Sequence, residues 1–133
     1  MEPGLNWNAS EFWIDGGCLG NQAHGRRQAY GSISDGRTVE RFQFTDARTS
    51  NEAEYKALST LLGNLLNKRV DPRKPPTSIY TDSQLLVGHL TQGEKVRAKN
   101  LLALHGEAAL GLRKTQAKLI WVPREQIVER LGH

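Results

Sequence analysis

Between Phe44 and Asn51 the hydrophobic period of this chain changes from two to the three-and-four spacing of a helix, and that switch restricts the fold more than any other feature. Before it, residues 11 to 18 alternate and run into Gly16-Gly17, with Gly20-Asn21 and Gly25 behind, which reads as a strand leaving into a loop. Gln28 to Ser34 and Thr38 to Phe44 are two further strand-like runs joined through Asp35-Gly36-Arg37. An Asp-Gly pair between strand patterns is a strong hairpin signal, so the opening third is predicted to be a three-stranded antiparallel meander. After the switch, Ala53, Ala57, Leu58, Leu61, Leu62, Leu65 and Leu66 define one apolar helix face, with Ser50 or Asn51 as N-cap and Pro72 beyond its end.

The remainder alternates element types. Ser78 to Thr81 is a short strand, Ser83 to Gln92 a short helix, about 96 to 114 a longer helix, Lys118 to Val122 a last strand stopped by Pro123, and Glu125 to Leu131 a final helix. A hairpin sheet extended by strands that follow helices is an α/β sandwich with parallel crossovers. At 133 residues the chain is expected to be one domain, 1–133, with a flexible segment over residues 1–9.

Lys and Arg number 18 against 14 Asp and Glu, and the pI is near 9.5, a modest excess that favours a polyanionic partner. One cysteine, Cys18, excludes an internal disulfide and fits a reducing compartment. No signal peptide opens the chain and no apolar run reaches membrane-spanning length, so a soluble cytoplasmic protein without membrane contact is expected.

Against that basic background three acids stand out. Asp15 ends the run Phe12-Trp13-Ile14, Asp82 ends Ile79-Tyr80-Thr81, and Glu54 lies near the start of the first long helix. A carboxylate directly behind an apolar strand is costly to desolvate without a compensating charge. Ligands of open α/β sheets bind outside the carboxyl ends of parallel strands, where Asp15 and Asp82 both fall. If their strands pair, the two acids lie about one strand spacing, roughly 5 Å, apart. Magnesium compensates such a group by taking oxygen ligands and substrate phosphates. Glu52 competes with Glu54, but two residues apart on a helix they point in different directions.

The segments Ile14-Asp15-Gly16-Gly17-Cys18-Leu19-Gly20-Asn21, Thr49-Ser50-Asn51-Glu52-Ala53-Glu54-Tyr55 and Tyr80-Thr81-Asp82-Ser83-Gln84 occur in this order with the expected elements between them. Over about residues 10 to 132 the chain resembles the type 1 ribonuclease H family. The resemblance implies a ribonuclease H-like fold, a five-stranded mixed sheet of order 3-2-1-4-5 with helices on both faces. It implies an endonuclease that cuts the RNA strand of an RNA/DNA hybrid, acts as a monomer without an obligate protein partner, and leaves 5′-phosphate and 3′-hydroxyl ends. Two Mg2+ or Mn2+ ions would be held by four acids, with Asp15 shared, Glu54 and Asp82 each on one ion, and Glu54 preferred to Glu52 by its place before Tyr55. Asn21, Asn51 and Gln84 resemble RNA-strand contacts, and Thr49 a DNA-phosphate contact.

The chain departs from the family pattern near its end. An Ala-Asp-x-Leu-Ala type helix is replaced by Val128-Glu129-Arg130-Leu131-Gly132, which puts Glu129 at the fourth acid, with Glu125 as a further candidate. His133, one helical turn beyond Glu129, could reach the same site or be a frayed terminal residue. Val122-Pro123-Arg124-Glu125 resembles a subgroup with arginine in this region, so Arg124 is expected either to act on the scissile phosphate or product, or to form a surface ion pair. The family's basic protrusion is absent: Gln92 to Arg97 joins two helices directly, with Lys95, Arg97 and Lys99 as the nearest cations. Two other readings stay open, a catalytically weak hybrid-binding module and a nuclease of the same superfold acting on DNA.

Overall fold

The computed structural model describes residues 4–21, 26–67 and 76–132. The elements are β1 (Glu11–Asn21), β2 (Arg26–Ser34), β3 (Val39–Phe44), α1 (Ser50–Asn67), β4 (Ser78–Thr81), α2 (Gln84–Thr91), a 3-10 turn (Lys99–Leu101), α3 (Leu102–Thr115), β5 (Lys118–Trp121) and α4 (Arg124–Leu131). The sheet runs β3-β2-β1-β4-β5, as the resemblance implies. β1, β2 and β3 form the antiparallel meander, and β4 and β5 extend it in parallel beyond β1. The hairpin turn is held by Asp35, whose Oδ1 accepts the N–H groups of Arg37 and Thr38, and Gly36 takes a φ of 93° that disfavours other residues.

Alternation along β1 divides the core. Phe12 and Ile14 face α1, α2 and α3 and pack with Ile33, Ile79, Tyr55, Leu58, Leu61, Leu86 and Leu101. Trp13 faces the other way, onto α4, with Val122, Ile127 and Leu131. Asp15 shares the parity of Trp13, so it belongs to the α4 face. Arg130 lies over the Trp13 ring, 4.6 Å from its centroid, and adds a cation–π contact to that smaller core.

Four differences from the sequence expectation have physical reasons. β1 does not stop at its glycines. It pairs with β2 as far as Asn21 opposite Arg26, because Gly16 and Gly17 serve close packing and not a loop. The N-cap of α1 lies one residue earlier than expected. Thr49 Oγ1 accepts the Glu52 N–H, and Glu52 Oε1 accepts the Thr49 N–H, a reciprocal capping box. The helix expected from about 96 starts later: Ala98 is extended, and buried Leu101 anchors the turn that leads into α3. Finally, the opening segment packs. Leu5 is buried in the main core, Trp7 stacks on Phe12 at 6.1 Å, and the Asn6 N–H donates to Asp35 Oδ2.

Candidate active site

Backbone packing draws three acids to one point. Gly16 passes so close to the start of α1 that a Cβ there would lie 2.5 Å from Ala53 C and Glu54 N. This contact sets α1 against β1 and brings Glu54 to Asp15. Asp82 follows β4, which pairs in parallel with β1, and it enters from the other side. The segment around it is pinned. Ser83 is the N-cap of α2, its Oγ accepting the Leu86 N–H, and its own N–H donates to Thr81 Oγ1. The Trp121 indole N–H donates to the Asp82 carbonyl oxygen at 3.2 Å.

One carboxylate oxygen from each of Asp15, Glu54 and Asp82 lies within 4.8 Å of the other two. The Asp15 side chain is 2 % exposed and that of Asp82 10 %. Burial pushes the Glu54 carboxyl up to about 7, and the charges of Asp15 and Asp82 push the same way, while a hydrogen bond with the Ser83 hydroxyl and the charge of Arg124 oppose them. The Tyr30 phenol, over Gly17 on the neighbouring strand, is also raised, first by burial and then by the charge of Asp15.

The fourth charged side chain at this point is a cation. Arg124 Nη1 donates to Asp82 Oδ2 at 2.9 Å and lies 3.4 Å from Asp15 Oδ2. Glu129, expected to complete the acids, is not part of the group. Ile127 and Leu131 turn one face of α4 inward, and Glu129, two residues from each and so about 200° round the helix, is exposed. Glu125 is exposed and outside the group as well. His133 lies outside the described residues, as does the side chain of Asn21.

Asn51 and Gln84 are exposed at the first turns of α1 and α2, on the helix ends nearest the acids. Thr49 is half-buried, and its hydroxyl both accepts from Glu52 N–H and donates to Glu52 Oε1 at 3.0 Å, so its first task is the cap. Glu52 is thereby explained as a capping residue, which separates it from Glu54. Sequence reasoning passed over Ser83. The signal for Ser83 was present, a serine directly before a helical run. His89 and His105 are both half-buried. Tyr55 Oη and His89 Nδ1 are 2.8 Å apart, and His105 Nε2 donates to the His89 carbonyl oxygen at 3.2 Å. These contacts tie α1, one residue after Glu54, to α2 and α3.

A family model for RNase H matches residues 8–123. The chain belongs to the ribonuclease H family. This ribonuclease H is similar in fold to LC11-RNase H1, solved in complex with an RNA/DNA hybrid, at 23 % identity and a TM-score of 0.69 over 90 % of this chain and 89 % of that one. The N-terminal RNase H domain of Rv2228c from Mycobacterium tuberculosis is 24 % identical with a TM-score of 0.68, over 91 % and 88 %. RNase H1 from Halobacterium salinarum is 22 % identical with a TM-score of 0.67, over 90 % and 89 %. Among the described residues no helix is long and apolar enough to cross a membrane.

Proposed function

We propose that this ribonuclease H is a divalent-metal-dependent endonuclease that hydrolyses the RNA strand of RNA/DNA hybrids and leaves 5′-phosphate and 3′-hydroxyl ends. The observation that carries the reading is the approach of Asp15, Glu54 and Asp82 to within 4.8 Å, just beyond the parallel pairing of β1 with β4, where Asp15 lies within β1, which runs on to Asn21, and Asp82 directly follows β4. The donor set fits the family's metal: three hard carboxylate oxygens, two of the side chains shielded from water, suit Mg2+ or Mn2+. When bound, two such ions would lower the pKa of an attacking water and stabilise the leaving 3′-oxygen.

The protein's own groups supply the rest. Asp15 and Asp82 present ordered oxygens because β1, paired with β2 through Asp15, holds the first, and the end of β4 with the Ser83 cap holds the second. Glu54 keeps a proton up to about pH 7 until a cation draws it off. Arg124, half exposed and reaching inward, offers a guanidinium that suits a phosphate oxygen. Asn51 and Gln84, with Asn21 and Thr49, would meet ribose and backbone, since A-like duplexes are read through the shallow minor groove and 2′-hydroxyls. Lys95, Arg97 and Lys99 lie exposed between α2 and α3 and substitute for a larger basic protrusion, so hybrid affinity is salt-sensitive. The protein works as a cytoplasmic monomer in this reading.

One observation favours a second reading, a hybrid-binding module of low activity: three acids and a cation gather where four acids were expected. Labelled RNA/DNA hybrid, DNA duplex and single-stranded RNA incubated with Mg2+ or Mn2+ separate the readings. Cleavage of the RNA strand of the hybrid alone is the expected result. A hybrid bound but uncut under both ions would reject the nuclease.

A further inference from the structure

The charge balance of the site points to one divalent ion and not two in the substrate-free protein. Once a bound cation has drawn the proton from Glu54, Asp15, Glu54 and Asp82 bring three negative charges, and no other acid among the described residues joins them. Arg124 brings one positive charge into direct contact, a single guanidinium nitrogen lying between Asp82 Oδ2 and Asp15 Oδ2. One divalent ion then brings the group to neutrality. A second would leave a surplus of two positive charges, set beside a guanidinium that does not lose its proton. Repulsion between like charges is strong where the side chains are withdrawn from water, as those of Asp15 and Asp82 are.

The position of Arg124 is built by the fold. It is the first residue of α4, whose place on the sheet is fixed by buried Ile127 and Leu131 against Trp13. Its side chain is 55 % exposed, so it approaches the acids from the solvent side, where a phosphate would arrive.

We infer that Arg124 stands in for a second metal ion: bridging Asp15 and Asp82, it limits the substrate-free protein to a single divalent ion. This rests on the metal-dependent reading above. The test is Mn2+ uptake by the full chain without nucleic acid, measured by isothermal titration and by electron paramagnetic resonance of free Mn2+. Wild type should take one ion per chain, Arg124→Ala two, and the charge-preserving Arg124→Lys one. Because α4 is anchored by Ile127 and Leu131, both variants should fold, and the wild-type stoichiometry stands as a test without them. Two ions on wild type, or one on Arg124→Ala, would overturn the inference and leave the nuclease reading of the wild-type protein standing. No Mn2+ uptake by any of the three would overturn it together with the nuclease reading.

Discussion

Replacing Gly16 by alanine tests how the fold builds the site. The new Cβ would lie 2.5 Å from Ala53 C and Glu54 N and 2.6 Å from Ala53 O, where ordinary contact begins at 3.4 Å. All three atoms are backbone, so no side chain can turn aside. The start of α1 would have to retreat from β1 by about 0.9 Å, the difference between 3.4 and 2.5 Å. Overpacking of this kind costs about 1–3 kcal/mol. Glu54 moves with the helix, and a displacement near 1 Å at a reacting centre costs on the order of 100-fold in rate. Urea denaturation should therefore show a lowered midpoint with an unchanged slope, and single-turnover hybrid cleavage a loss far larger than the stability change explains. Gly17→Ala is the control. Its Cβ would meet the ring and hydroxyl of Tyr30, 2.7 Å away, a side chain that can give, and α1 stays in place. Wild-type stability and cleavage in Gly16→Ala would refute the argument that this contact positions Glu54.

Other expectations follow from the same contacts. Asp15→Asn should abolish cleavage while hybrid binding persists in a gel-shift assay; loss of both would make Asp15 a folding residue. Ser83→Ala removes a helix cap as well as the hydroxyl bonded to Glu54, so a stability loss of about 1–2 kcal/mol is expected, and an NMR titration of the metal-free protein should show the pH midpoint of Glu54 raised further. An unchanged midpoint would remove Ser83 from the site. Glu54 holds its proton in the native state up to about 7, against an ordinary value of 4.5, so its contribution to stability is complete below pH 4.5 and is lost as pH rises through 7. The loss is on the order of 3 kcal/mol. Denaturation from pH 4 to 8 should show this fall in wild type and a flatter profile in Glu54→Gln, and equal slopes would contradict it.

Much of the fold was legible because its signals are local. The Asp35-Gly36 hairpin, the apolar stripe from Ala53 to Leu65 and the stop at Pro123 each act within a few residues. Asp15 and Asp82, each directly behind an apolar run, were legible for the same reason, although β1 continues past Asp15 to Asn21. What escaped depends on partners far along the chain. The glycines of β1 read as loop residues until the backbone of α1 and the ring of Tyr30 are seen against them. Glu129 fitted a motif, but the burial of Ile127 and Leu131 sets the rotation of α4 and turns it outward. Arg124 was read as a phosphate contact or a surface ion pair. Its bond to Asp82 spans 42 residues and that to Asp15 spans 109, distances over which no sequence period carries information.

The central claim is that Asp15, Glu54 and Asp82 form the metal site of a hybrid nuclease, and the most direct test is a crystal of the protein with an RNA/DNA hybrid soaked in Mn2+, read by anomalous scattering. The account predicts Mn2+ bound by oxygens of these three side chains and facing a phosphate of the RNA strand. Mn2+ held elsewhere, at Glu129 for example, or a hybrid seated away from Asp15, Glu54 and Asp82, would contradict it.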